Sequence, residues 1–149
     1  MRRDQLDVSD IELSKQCFRL SQGAFESGSP WQEEQFLSTI KNPSNTNCFL
    51  FNQDKLVGYI LLSTVLDEAD LLLIGVAKEE QRKNIGQKLL QEACLELDQK
   101  EVKKIFIEVR QSNSKAISFY QKNGFVEIAK RRNYYQTPKE DALIWMLEL

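Results

Sequence analysis

Two side chains able to move protons lie close together in the stretch EVRQSNSKAISFYQKNGF, residues 108 to 125. Glu108 is a carboxylate at the end of a run, KKIFIEVR, that reads as a strand. Tyr120 is a phenol on the short helix that follows Ser112-Asn113 and stops at Asn123-Gly124. An acid and a base facing one substrate would need such packaging. An ordinary surface charge followed by a packing aromatic would look the same. The chain contains no histidine. That excludes Ser-His-Asp and Cys-His catalysis and HExxH metal sites, and leaves proton transfer to carboxylates, Tyr, Lys, Cys or water.

Upstream, KEEQRKNIGQK (residues 78–88) joins an apolar strand to an amphipathic helix. A tight strand-to-helix turn aims free backbone N–H groups at one point, and the helix dipole adds positive potential there. Arg82, Lys83 and Lys88 gather at the same turn. A pyrophosphate would suit it, and so would plain water around a charged helix start, because short glycine-containing turns are weak signals.

The elements that must position these groups follow from caps and periodicity. Ser9-Asp10-Ile11-Glu12 has the Ser-x-x-Glu pattern of a capping box and opens a helix running to about Gly23. Ser29-Pro30-Trp31-Gln32 predicts a second helix start, with proline at the first helical position and an apolar face from Phe36, Leu37 and Ile40. NCFLFNQ (47–53) and KLVGYILLSTV (55–65) predict a hairpin, with Gly58 at a bulge or a close backbone approach. ADLLLIGVA (69–77) is apolar nearly throughout, as a strand covered on both faces would be. Ile85, Leu89, Leu90, Ala93, Cys94 and Leu97 mark one side of a long helix. A strand over 102–109, a helix over 113–123 and two terminal strands, GFVEIAKRR and DALIWMLEL, complete the order. The expectation is one domain over residues 1–149, α/β or α+β, with a mixed sheet and a right-handed crossover across 69–109.

Composition narrows the function classes. A net charge of −2 over 149 residues argues against a direct nucleic-acid partner, which favours a basic stripe. No apolar run approaches the roughly 20 residues of a membrane span. MRRDQLDVSD at the N-terminus lacks the apolar segment of a signal peptide, so a cytoplasmic protein with no membrane partner is expected. Cys17, Cys48 and Cys94 are isolated and in no CxxC pair, so neither a disulfide framework nor a metal site is expected. Cys94 reads as a small hydrophobe on its helical stripe.

Gln81-Arg82-Lys83-Asn84-Ile85-Gly86 resembles the Q/R-x-x-G-x-G/A acyl-CoA loop of the GCN5-related N-acetyltransferase superfamily. The resemblance runs over nearly the whole chain. It takes in Ser29-Pro30-Trp31, LDEADLLLIGVA, Glu108-Val109-Arg110 with Ser112-Asn113, Ala116 and Tyr120, and Arg131-Arg132-Asn133-Tyr134-Tyr135 followed by Glu140-Asp141-Ala142. The RRNYY run is the most discriminating, and is similar to the family of bacterial ribosomal-protein-alanine N-acetyltransferases. The resemblance implies a mixed, mostly antiparallel central sheet with a splayed strand pair and flanking helices. It implies acetyl-CoA as co-substrate, with Ile74, Gly75 and Val76 along its pantetheine arm and Arg82, Lys83, Asn84, Ile85, Gly86 and Gln87 around its phosphates. It gives Asn113 a contact to the cofactor and Tyr120 the role of general acid to the sulfur. Two positions depart from the pattern. Asn84 replaces the first glycine of the loop, and Asn is among the residues that best tolerate a left-handed backbone, so the turn is expected to survive. Gln136 stands where the family's NYY run continues with proline, which here comes at Pro138.

An acceptor α-amine, with a pKa near 8, is mostly ammonium at neutral pH and must lose a proton before it attacks a thioester. Glu108 is expected to take that proton directly or through water. Trp31, Tyr134 and Tyr135 are expected along an acceptor channel, although Trp31 is equally suited to anchoring its helix in the core. The expected function is acetyl transfer to the N-terminal amine of a protein, with a small-subunit ribosomal protein beginning in alanine as partner, by a monomer or weak dimer. The acidic balance suits a basic partner only weakly. A small-amine acetyltransferase and a non-catalytic acyl-CoA-binding module are the alternatives.

Overall fold

The structure, a computed structural model, describes Arg3 and residues 6–149. Helix α1 spans Asp10–Ala24, and the Ser9 hydroxyl caps it by accepting the Glu12 N–H at 3.1 Å. Helix α2 (Glu33–Lys41) starts later than the Ser29 box predicts. The Ser29 hydroxyl donates to the Trp31 carbonyl at 2.6 Å and accepts the Trp31 N–H at 3.3 Å. That local turn consumes its capping capacity, and Gln32 opens the helix instead, its N–H donating to Gln35 Oε1 at 2.8 Å.

Six strands form one sheet: β1 (Thr46–Asn52), β2 (Lys55–Val65), β3 (Glu68–Val76), β4 (Lys104–Arg110), β5 (Val126–Gln136) and β6 (Lys139–Glu148), in the order β1-β2-β3-β4-β6-β5. Helix α3 (Ile85–Gln99) carries the chain from β3 to β4, and α4 (Ser114–Lys122) from β4 to β5. Only the β3–β4 pair is parallel, so the sheet is mixed and mostly antiparallel. One face packs Leu89, Leu90, Ala93 and Leu97 of α3 and Tyr120 of α4 against Ile60, Leu62, Ile105 and Ile107. The other packs Leu13 and Cys17 of α1 and Phe36 and Ile40 of α2 against Tyr59 and Leu61. No described helix is long and apolar enough to cross a membrane.

Gly58 meets the expectation of a close approach and lies beside a bulge. A β-bulge lies at Val57, between the Leu50–Gly58 and Phe51–Leu56 pairs, and a Cβ on Gly58 would come within 2.9 Å of Leu89 and 3.0 Å of Ile85 on α3. A second bulge, at Leu72, separates the Leu62–Leu71 and Leu61–Leu73 pairs. It reverses the alternation along β3, so that Leu71 and Ile74 both face α3.

Pairing of β3 with β4 lasts only from Glu68–Lys104 to Asp70–Phe106. Beyond it the strands part, which corrects the reading of β3 as covered on both faces. Leu72 is exposed and Leu73 and Ile74 are half-buried, because the sheet opens beside them. Strand β5 also differs from expectation. It does not end at Arg132, because its ladder with β6 resumes at Tyr135–Glu140 after a bulge over residues 132–134.

Candidate active site

The gap between β3 and β4 exposes backbone. The Ala77 N–H donates to the Val57 carbonyl at 2.9 Å, so Gly75 and Leu73, in alternate positions, also turn their polar groups toward β2. Ile74 and Val76 turn theirs into the gap. The Val76 carbonyl accepts Gln81 Nε2 at 3.1 Å, which leaves the Val76 N–H and both groups of Ile74 facing the opening. Gly75 serves a different end. A Cβ there would lie 2.6 Å from the Tyr59 ring, whose hydroxyl bonds Ser21 Oγ at 2.7 Å while Ser21 donates to the Cys17 carbonyl.

At the C-terminal end of β3 the chain makes a 3-10 turn (Lys78–Glu80) and then enters α3. Arg82 and Asn84 take φ angles of 67° and 62°, so the left-handed conformation expected at Asn84 is present. None of the backbone N–H groups from Arg82 to Gln87 finds a partner among the described residues. Left-handed residues leading into a helix start form a concavity of donors suited to an anion. Gly86 seats this helix start against α4, since a Cβ there would be 3.2 Å from the Phe119 ring. Lys83 pairs with Glu80 at 3.2 Å. Lys115 of α4 reaches Gln81 Oε1 at 3.2 Å, which adds a cation that the sequence reading missed. Its place in the first turn after Asn113 was the available signal.

Asn113 and Tyr120 lie on the α3–α4 side of the sheet. Asn113 Oδ1 accepts the Ala116 N–H at 3.1 Å and caps α4. The Tyr120 ring is 4 % exposed and packs between Phe119 and Phe125 at centroid distances of 5.3 and 5.2 Å. Burial pushes its hydroxyl pKa up, so the phenol holds its proton throughout the neutral range. No described residue hydrogen-bonds to that hydroxyl.

Glu108 lies on the opposite face. It alternates with Ile107 and Val109, which are buried toward α3 and α4, so its carboxylate points to the α1–α2 side. Water reaches it, at 37 % side-chain exposure, and Arg131 Nη1 stands 3.3 Å from its Oε1. Tyr134 and Tyr135 pack edge to face at 5.2 Å beside it. The Tyr135 hydroxyl pKa is raised, first by burial and then by the Glu108 carboxylate. Arg110 lies over the Tyr135 ring at 4.2 Å, donates to the carbonyls of Thr137 and Pro138 at 3.1 Å, and pairs with Glu140 at 3.3 Å. Hydrogen bonds from Ser112, and then Arg110, hold the Glu140 carboxyl below its usual value. These contacts fix the β5–β6 hairpin next to Glu108.

The structure thus brings Glu108, Tyr134 and Tyr135 together, and groups Ile74, Val76, the residues 82–87 and Asn113 around the gap. Glu108 and Tyr120 occupy opposite faces of the sheet. Trp31 sits elsewhere, half-buried against Phe36 at 5.3 Å, in the α1–α2 cluster. No group of side chains suited to a metal ion occurs among the described residues.

The chain matches the acetyltransferase (GNAT) family over residues 12–125. It is 38 % identical over 122 residues to the ribosomal protein bS18-alanine N-acetyltransferase of Escherichia coli, across 80 % of this chain and 82 % of that one. The crystal structure of the Escherichia coli ribosomal-protein-S18-alanine N-acetyltransferase superposes with a TM-score of 0.81 at 33 % identity, covering 96 % of this chain and 90 % of the other. An N-acetyltransferase from Thermoplasma acidophilum, solved with coenzyme A, shares the fold at 22 % identity, with a TM-score of 0.78 over 93 % of this chain and 94 % of that one. With a parted strand pair, an open donor cradle and a family match over most of its length, the chain belongs to the GNAT acetyltransferase family.

Proposed function

We propose that this enzyme transfers acetyl from acetyl-CoA to the N-terminal α-amine of a protein, the N-terminal alanine of a small-subunit ribosomal protein. The observation that carries the reading is the β3–β4 gap, with Glu108 on one face of the sheet and Tyr120 on the other. The donor cradle from Arg82 to Gln87, with Lys88 and Lys115 nearby, receives the cofactor's pyrophosphate. Its amide-bearing arm lies along Ile74 and Val76, and Asn113 meets it from α4. Glu108 accepts a proton from the acceptor ammonium, and the freed amine attacks the thioester carbonyl. A C–N bond forms and the C–S bond breaks; Tyr120 gives its proton to the departing thiolate, and the second proton shed by the nitrogen as it becomes an amide restores the phenol. The protein acceptor is supported by the Escherichia coli relative, whose name specifies an alanine of ribosomal protein bS18. Tyr134 and Tyr135 flank its entry, while Trp31 anchors α2 in the core through Phe36.

The test is transfer from acetyl-CoA to a peptide beginning in alanine. Tyr120→Phe and Glu108→Gln should each lower turnover by roughly one to three powers of ten, with the CoA dissociation constant within about threefold of the parent's. Unchanged turnover in both variants would remove these residues from the mechanism. A parent that binds acetyl-CoA and acetylates no amine would instead be a binding module.

A further inference from the structure

The Arg131 guanidinium stands where an acceptor ammonium has to go. It reaches that place by an indirect route. Arg131 on β5 pairs with Ala142 of β6, whereas Glu108 on β4 pairs with Ile144 of β6. Their backbones are thus two strand spacings apart across the sheet, about 9.6 Å at ~4.8 Å each, and two residues apart along it, a further ~7 Å. The Arg131 side chain must lie flat across β6 to bring Nη1 to 3.3 Å from Glu108 Oε1. The small, fully buried Ala142 leaves that crossing clear. A nearer cation, Arg110, shares the strand and face of Glu108, but the Tyr135 ring, the Thr137 and Pro138 carbonyls and Glu140 engage it. In the same conformer the Arg131 guanidinium carbon lies 5.4 Å from the centroid of the Tyr134 ring.

We propose that Arg131 is a displaceable stand-in for the acceptor ammonium, which raises by one common factor the concentration every amine needs, so that peptide N-termini, with further contacts to bind by, are used at concentrations where small amines are not. The inference rests on the role proposed above for Glu108. An exposed ion pair of this kind is weak enough to exchange. A tethered guanidinium nevertheless competes at an effective concentration on the order of millimolar or more. A small amine brings only its charge to that competition. A peptide adds contacts along its chain, and that binding energy lets it dislodge Arg131 from Glu108 at a lower concentration than a small amine needs.

Alaninamide and an alanine-initiated hexapeptide share the reacting amine and differ only in the chain behind it. In Arg131→Met, the KM for each should fall by roughly five- to tenfold with kcat within about twofold. Arg131→Lys, which keeps the cation, should keep KM values near the parent's. A merely structural arginine would leave KM unchanged or raise it in Arg131→Met. A KM that does not fall for either acceptor overturns the proposal while the parent's activity on the peptide leaves the functional reading standing. A parent inactive on the peptide overturns both.

Discussion

At φ 62° Asn84 sits in the left-handed region, where a Cβ crowds the following carbonyl and costs an ordinary residue about 1–2 kcal/mol. Asparagine bears this better than most, which is how the turn keeps its donors aimed at one point after losing the glycine of the family pattern. Asn84→Ala should therefore destabilise the protein by about 1 kcal/mol in urea titration, whereas Asn84→Gly should match or exceed the parent. Equal stability for all three would mean that the turn relaxes at little cost. At this scale the sequence is informative wherever a residue type answers a local demand, as Asn84 and the Ser9 cap do. It is silent on Arg131, because that side chain meets Glu108 across an intervening strand, and only the order β4-β6-β5 brings them together.

Among the elements, β3 has the most demanding position. It must hold β2 on one side and present bare backbone on the other, and the Tyr59 ring lying over Gly75 fixes it against the α1 side. A methyl group at position 75 would meet that ring at 2.6 Å. Gly75→Ala should destabilise the fold by about 1–3 kcal/mol and weaken CoA binding, and adding Tyr59→Leu should recover most of both. Chemical denaturation with and without CoA measures the two effects, and a double variant no better than the single one would dismiss the clash as the cause. Strand and helix identities are legible here from period and caps, as the α3 stripe from Ile85 shows. The parting of β3 from β4 is not, since the apolar run LLLIGV reads alike for a covered strand and for one bordering a cleft. The α2 start and the reach of β5 to Gln136 escape for a similar reason. A side chain closing its own turn at Ser29 and a bulge at residues 132–134 are events of pairing, invisible to periodicity.

For the molecule as a whole, the absence of histidine removes the usual titration between pH 6 and 8. Its buried titratable groups act at the alkaline end. Burial raises the pKa values of Cys17, Tyr59 and Tyr120 above their ordinary 9.0 and 10.0. The unfolded chain surrenders these protons first, so their stabilising effect is complete below the ordinary values and is lost as pH rises past them. Stability should be nearly flat from about pH 6 to 8 and should fall from about pH 9, where Cys17 begins to act, more steeply above 10. Melting temperatures across that range test this. Cys17→Ala should move the onset of the fall toward pH 10, and an unmoved onset would assign it to other groups.

The parted sheet also bears on the order of events. On the proposed assignment, the thiol end of the cofactor is served from the α3–α4 face and the amine from the α1–α2 face, and the two ligands meet inside the sheet. Neither has to leave before the other arrives, and no side chain has to carry the acetyl group between visits. The three thiols are committed to packing: Cys17 is buried in the α1–α2 cluster, Cys48 is buried beside α3, and Cys94 on α3 is half-buried against the same core. On that assignment transfer is a meeting of two guests who use separate doors, and either product can depart by the way its parent came in.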